Sequence, residues 1–96
     1  GIGGRVAEVV GRRLRELSAR HQIICITHLP QIAVYGNHHF LVEKDQGESI
    51  TRASIRELSA AERVREVARM LGGIAVTDKT HAQAKEMLRS AQESSG

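Results

Sequence analysis

Ile23-Ile24-Cys25-Ile26-Thr27-His28 is the stretch that decides how this 96-residue chain should fold. Residues 22–27 form a short, bounded and mostly β-branched run, which is typical of a strand buried on both faces. Such a strand lies centrally in a parallel sheet, so we expect Cys25 to behave as a small buried hydrophobe. His28 then stands at the carboxyl end of the strand, where ligands gather in open α/β sheets.

Helices are predicted on both sides of this strand. Residues 5–21 carry valines and leucines at three- and four-residue steps, which predicts an amphipathic helix. Gly11 weakens that helix by roughly 1 kcal/mol relative to alanine. Pro30 suits the first turn of a short helix that continues through Val34 and that residues 36–37, Gly-Asn, should close.

Two further helices are predicted in the second half of the chain. Ser59 and Glu62 have the spacing of a capping box, so a helix should begin there and end at the glycines of positions 72–73. Thr77 or Asp78 should cap a last helix. That helix should give way to a frayed tail over residues 92–96.

Residues 38–44 and 49–57 alternate between apolar and polar side chains around a turn at residues 45–47. This pattern predicts an exposed antiparallel hairpin. The fold class is therefore α/β, with a few strands flanked by about four helices. The central strand needs parallel neighbours that this chain scarcely supplies, so we expect apolar surface at residues 22–27 to stay exposed and to drive self-association.

The composition narrows the function classes only a little. Lys and Arg number 14 against 11 Asp and Glu, a formal net charge of +3 that is too small and too dispersed to predict nucleic-acid binding by itself. A single cysteine fits a reducing, cytoplasmic compartment, and no membrane or export signal is present. The chain opens on three glycines in four positions without a methionine, and we expect it to begin inside a longer protein.

The sequence lacks the motifs of several kinds of phosphate-binding, metal-binding and catalytic site. The phosphate-cradling pattern G-x-x-x-x-G-K-[ST] does not occur, and no apolar strand ends in Asp-Glu to hold magnesium. The five histidines are poorly spaced for zinc, since His38 and His39 are adjacent on a strand and point to opposite faces. We therefore predict no metal site. Cys25 lies inside the predicted buried run and no serine occupies a nucleophile elbow, so we also predict no Ser-His-Asp or Cys-His catalysis.

Two features remain as candidate sites. His28 could donate a hydrogen bond to a phosphate oxygen or to an attacking water near neutral pH, although a histidine after a strand can equally serve packing or capping. Gly1, Ile2, Gly3 and Gly4 place flexible backbone amides before a helix, which suits a phosphate or partner contact but is equally compatible with a plain loop.

The sequence resembles the C-terminal end of the RecN family of bacterial DNA repair proteins. The matching segments occur in the same order and span essentially the whole chain. The resemblance is carried by Gly1-Ile2-Gly3-Gly4-Arg5, by Ile24-Cys25-Ile26-Thr27-His28-Leu29-Pro30-Gln31-Ile32-Ala33 and by Ala68-Arg69-Met70-Leu71-Gly72-Gly73. That family belongs to the structural-maintenance-of-chromosomes (SMC) ATPases, whose heads are built like those of ABC transporters. The resemblance implies that residues 1–96 are the C-terminal part of such a head, a P-loop NTPase-like lobe that begins in the D-loop.

The resemblance also implies site residues and partners. Gly1 to Gly4 would form the D-loop, which contacts nucleotide across a dimer of heads, and His28 would be the switch histidine that contacts the γ-phosphate. ATP and Mg²⁺ would be cofactors of the intact protein, with neither bound by this chain alone. The usual D-loop carries an aspartate where this chain has Gly3, so that aspartate's contact is not carried over.

The function implied is that of an ATP-dependent protein for DNA double-strand-break repair and recombination. Its partners would be the N-terminal segment of the same head, a second head in a homodimer, and DNA through the intact protein, with no membrane partner. It would act in the cytoplasm, on the nucleoid when it binds DNA. One alternative is a free-standing small α/β module that binds nucleic acid or a protein. Another is a packing or dimerisation role for the helices between Ser59 and Ala91.

Overall fold

A computed structural model describes residues 3–44, 52–73 and 75–93 of the chain. They form four helices and one two-stranded sheet: α1 (Gly4–Ser18), α2 (Pro30–Ala33), β1 (Phe40–Lys44), β2 (Ala53–Glu57), α3 (Ala60–Gly72) and α4 (Asp78–Glu93). The α/β class and the four helices are confirmed, and the P-loop lobe implied by the resemblance stays a prediction.

The first two helices form where local signals favour them. Gly3 precedes α1 in an extended conformation, with φ −64° and ψ 153°, and α1 ends at Ser18, three residues before the predicted end. Pro30 occupies the first turn of α2, as predicted, because its missing N–H has no partner to lose there.

The hairpin is confirmed and is shorter than predicted. β1 and β2 are antiparallel, with Val42 opposite Ile55 and Phe40 opposite Glu57. Every β2 residue is exposed, and of β1 only Leu41 is partly covered. The predicted turn at residues 45–47 and the first part of the predicted second strand, residues 49–51, lie outside the described residues.

Capping fixes the start of both long helices of the second half. The Ser59 hydroxyl accepts from the backbone N–H of Glu62 at 3.2 Å while the Glu62 carboxylate accepts from the N–H of Ser59 at 3.0 Å, so the predicted capping box is present. Thr77 caps α4 through its hydroxyl, which accepts from the N–H of Thr80 at 3.2 Å. Helix α4 runs through Glu93, and residues 94–96 of the predicted tail lie outside the described residues.

Helix α3 ends as the sequence predicted. Gly73 follows it with φ 67°, a conformation that side chains with a Cβ rarely adopt. Its N–H still donates to the carbonyl of Arg69 at 2.9 Å.

The core lies between α3, α4 and the end of α2. Tyr35 is its one large buried member within the described residues, and the others are small or medium-sized: Val34, Val67, Ala68, Ala84 and Ala91. Val64, Leu71, Met87 and Leu88 pack against them while partly exposed. Because this core is narrow, the position of α2 depends on the few contacts that α1 and α3 make to it.

The buried strand predicted at residues 22–27 is wrong for this structure. These residues belong to no strand, and Ile24 and Ile26 are 84% and 97% exposed. Cys25, predicted to be buried, is exposed as well. The physical reason is that a central strand is held by neighbours, and among the described residues no parallel strand is present to pair with it. The predicted exposure of apolar surface here is confirmed.

Candidate functional site

His28 lies in an exposed bend between the unpaired segment and α2. Hydrogen bonds fix the residues on both sides of it. The N–H of Leu29 donates to the side-chain hydroxyl of Thr27 at 3.0 Å, and the carbonyl of Leu29 accepts from the N–H of Ala33 at 3.0 Å. The backbone that carries the imidazole is therefore tied to α2, while the ring itself is accessible to a ligand.

The glycines at the start of the chain are only partly described. Gly1 and Ile2 lie outside the described residues, whereas Gly3 and Gly4 form the N-terminal boundary of α1. No side chain caps this helix and its first turn holds no acidic residue. Unpaired amides at a helix N-terminus favour anions through their direction and through the helix dipole.

The structure brings the start of α1 next to the start of α2. A methyl group on Gly4 would lie 3.5 Å from Nε2 of Gln31. Gln31 is the second residue of α2 and follows His28 by three positions. The helix after the glycines and the helix after the histidine are thus neighbours, which the spacing in the sequence did not predict. The roles of D-loop and switch histidine stay predictions.

Gly11 allows this neighbouring arrangement. A methyl group at Gly11 would lie 2.6 Å from Cδ2 of Tyr35 and 3.1 Å from the carbonyl oxygen of Gln31. A glycine without a Cβ lets the backbone of α1 approach α2 that closely. Helix propensity marks Gly11 as a weak point of α1, but a glycine in the middle of an amphipathic helix is also a signal of a close contact.

Arg63 of α3 holds the other end of α2. Its Nη2 donates to the carbonyls of Gly36 at 2.6 Å and of Ala33 at 3.0 Å, and it lies 3.4 Å from the carbonyl of Val34. The carbonyl of Ala33 also accepts from the N–H of Gly36 at 3.1 Å, so Arg63 adds to the hydrogen bonds at the helix C-terminus, where intrahelical donors run out. Burial, and then the charge of Arg15, lower the pKa of Arg63 from its usual value, but a guanidinium stays protonated in proteins.

His39 lies close to this arginine and is half-buried. Burial lowers the pKa of His39, the charge of Arg63 lowers it further, and Glu66 opposes both. The neutral imidazole is therefore the favoured form beside a fixed positive charge. Neither Arg63 nor His39 was a candidate in the sequence, because the contacts that define them join residues about thirty positions apart.

The donors in this region suit a phosphate better than a metal. The imidazole of His28 and the first-turn amides of α1 can each donate a hydrogen bond, as phosphate oxygens require. Within residues 3–44, 52–73 and 75–93, no three His, Cys, Asp or Glu side chains come together in a way that could hold a metal ion. We therefore derive no step from a magnesium ligand in this chain.

None of the helices in the described part of the chain combines the length and apolar character needed to cross a membrane.

The chain is similar to curated DNA repair proteins over nearly its whole length, although no family model matches it. It is 45% identical over 93 residues to the DNA repair protein RecN of Xylella fastidiosa strain 9a5c, covering 97% of this chain and 17% of the relative. To RecN of Haemophilus influenzae it is 50% identical over 88 residues, covering 92% of this chain and 16% of the relative.

RecN of Bacillus subtilis is 38% identical to this chain over 93 residues, with 97% of this chain and 16% of the relative covered. The chain thus spans only 16–17% of the length of these relatives. The resemblance drawn from the glycines, the histidine segment and residues 68–73 is confirmed: the chain belongs to the RecN family and corresponds to a C-terminal segment of it.

Proposed function

We propose that this chain is the C-terminal part of an SMC-type ATPase head in a protein that repairs DNA double-strand breaks and takes part in recombination. The observation that carries the proposal is the position of His28, exposed at a hydrogen-bonded bend and three residues before Gln31, whose side chain lies beside the start of α1. The name of the relatives, DNA repair protein, supports the cellular role.

The apolar segment at residues 22–27 supports the proposed fold of the whole head. Its isoleucines are exposed although the sequence is that of a buried strand. In the proposed P-loop NTPase-like lobe, parallel strands supplied by the N-terminal segment would pair with it on both sides. Burial of Ile24 and Ile26 would then stabilise the joined head by roughly 1.5–3 kcal/mol for each side chain.

His28 has the chemistry that the proposed switch position needs. In the intact protein, ATP with Mg²⁺ would supply the phosphoryl group that is transferred to water. Phosphoryl transfer depends on positioning and on stabilising charge at the phosphate oxygens. A histidine donor fixed by rigid backbone would hold the γ-phosphate and orient the attacking water, and it would need no reorganisation during the reaction.

The glycines would act through their backbone. As the D-loop, Gly1, Ile2, Gly3 and Gly4 would present amides and a flexible main chain to the nucleotide and to a second head. The start of α1 adds the positive end of a helix dipole at Gly4. A homodimer of heads would then enclose ATP between them, with DNA bound by the intact protein in the cytoplasm, on the nucleoid.

Mixing the chain with the rest of its own head, including the segment that would carry the magnesium-holding Asp-Glu pair, tests this proposal. We expect ATP hydrolysis in the mixture that exceeds the sum of the two parts, because each part lacks residues that the site needs. We also expect the backbone amides of Ile24 and Ile26 to become protected from hydrogen exchange on mixing, because strand pairing would bury them.

A control mixture should contain the chain with Ile24→Asp and Ile26→Asp. Charges at these positions would block strand pairing, and they should not disturb the fold of the separate chain because both side chains are exposed there. Hydrolysis that stays at the sum of the parts, with unprotected amides at residues 24 and 26, would contradict the proposal.

A further inference from the structure

We infer that Arg63 is a positioning residue for His28: through α2, it fixes the backbone on both sides of the histidine. The inference rests on the proposed function for the role of His28 in hydrolysis. The position of the backbone, by contrast, can be measured independently of any activity.

A continuous series of hydrogen bonds joins Arg63 to the residues on both sides of His28. Nη2 of Arg63 donates to the carbonyl of Ala33 at 3.0 Å. The N–H of Ala33 donates to the carbonyl of Leu29 at 3.0 Å, and the N–H of Leu29 donates to the hydroxyl of Thr27 at 3.0 Å. His28 lies between the last two residues, so a shift of α2 is passed directly to its backbone.

Helix α2 needs such an anchor because it has only four residues. An isolated helix of this length does not persist in water, because ordering the backbone of the first turn costs more free energy than its hydrogen bonds contribute. Arg63 brings one guanidinium nitrogen within 2.6–3.4 Å of three carbonyl oxygens at the helix end. On the side of α1, close packing at Gly11 holds the same helix against a second surface.

The surroundings of Arg63 show that this anchor is costly. The residue is half-buried, and its Nε is buried with no hydrogen-bond partner among the described residues. A buried donor without a partner destabilises the fold, so part of what the Nη2 bonds of Arg63 contribute is offset at its Nε. An arginine does, however, offer several donors in a rigid plane, which fixes a helix end in one orientation.

Hydrogen exchange in the chain tests the positioning step. In Arg63→Met, which keeps an unbranched stem and removes the donors, we expect the amides of Ala33 and Leu29 to exchange about 10-fold faster or more. In Arg63→Lys, which keeps the charge, the increase should be smaller. The matched control is Arg65→Met, an exposed arginine two positions along α3, which should leave both amides at their wild-type rates.

Steady-state ATP hydrolysis by the full-length protein tests the consequence. We expect Arg63→Met to lower kcat about 10-fold while KM for ATP changes less than about twofold, because a displaced donor costs transition-state rather than ground-state contacts. Arg63→Lys should recover part of kcat. In a His28→Ala background, Arg63→Met should cause no further loss, since both changes act on the same group.

The outcomes separate the two claims. Wild-type exchange at Ala33 and Leu29 in Arg63→Met would overturn the positioning role, as would losses of kcat that multiply in the double variant. Should His28→Ala turn over like the wild type while exchange rises in Arg63→Met, the proposed function fails and Arg63 is an anchor of α2 alone. If Arg63→Met does not fold, the same comparisons are made with Arg63→Lys.

Discussion

Gly11 is the residue that sets the distance between α1 and α2. A methyl group at this position would lie 2.6 Å from Cδ2 of Tyr35, which is too close for a Cβ, and 3.1 Å from the carbonyl oxygen of Gln31, which is a tight contact. Tyr35 belongs to the buried core, so its ring has little room to move aside. A residue that helix propensity marks as unfavourable is thus required by packing, and tertiary contact outweighs the local preference.

Replacing Gly11 by alanine should destabilise the chain. The higher helix propensity of alanine contributes about 1 kcal/mol, but overpacking against Tyr35 costs about 1–3 kcal/mol, so we expect a net loss of about 1 kcal/mol in the free energy of unfolding. Urea denaturation measures this. Gly4→Ala is the matched control, because a methyl group there meets only ordinary contact at 3.5 Å and should be neutral. A Gly11→Ala chain as stable as the wild type would show that the two helices are not in close contact.

At the scale of elements, the segments that were predicted correctly are those with local signals. The capping box at Ser59, Pro30 in the first turn of α2 and the alternation of the hairpin each act within a few residues of chain. The strand at residues 22–27 was predicted wrongly because a buried strand exists only through neighbours, and those are not encoded in the run itself. Helix ends were placed less well, with α1 ending three residues early.

The capping box also makes the stability of α3 depend on pH. The Glu62 carboxylate accepts from the N–H of Ser59 and from the guanidinium of Arg56, and these bonds lower its pKa from 4.5 to about 2. A carboxylate whose pKa is lower in the folded chain stabilises it fully above the unfolded value. That stabilisation is lost as the pH falls from about 4.5 towards 2.

Glu62→Gln should therefore lower the unfolding midpoint at pH 6, and its difference from the wild type should shrink as the pH falls through this window. Glutamine can still form a capping box, so the comparison isolates the charge. Arg56→Gln should remove part of the same pH dependence, since it removes one of the bonds. Parallel pH profiles for Glu62→Gln and the wild type would contradict this account.

For the whole molecule, the main consequence is an uncovered apolar segment. Ile24 and Ile26 are almost fully exposed, and apolar surface of this kind associates with itself or with a partner. The family pattern in the sequence indicates His28 and the first glycines as a candidate site, and this stays a prediction. The geometry of that site could not be predicted, because the contacts of Gly4 with Gln31 and of Arg63 with α2 join separate elements and have no local signal.

The separate chain should self-associate through this segment. We expect sedimentation velocity to show association that increases with concentration for the wild type and a monomer for the double variant Ile24→Ser and Ile26→Ser. Because both side chains are exposed, the variant's free energy of unfolding should change by less than about 0.5 kcal/mol. Val76→Ser, at an exposed position outside the segment, is the control and should associate like the wild type. A wild-type chain that stays monomeric would refute the prediction.

The central claim is that His28 contacts the transferred phosphate in an ATPase head. The most direct measurement is the steady-state turnover of ATP by the full-length protein with His28→Ala, beside His21→Ala as an exposed histidine seven positions earlier. We expect His28→Ala to lower kcat about 100-fold or more while ATP still binds, as for other donors that act mainly in the transition state, and His21→Ala to match the wild type. Wild-type turnover in His28→Ala would contradict the claim.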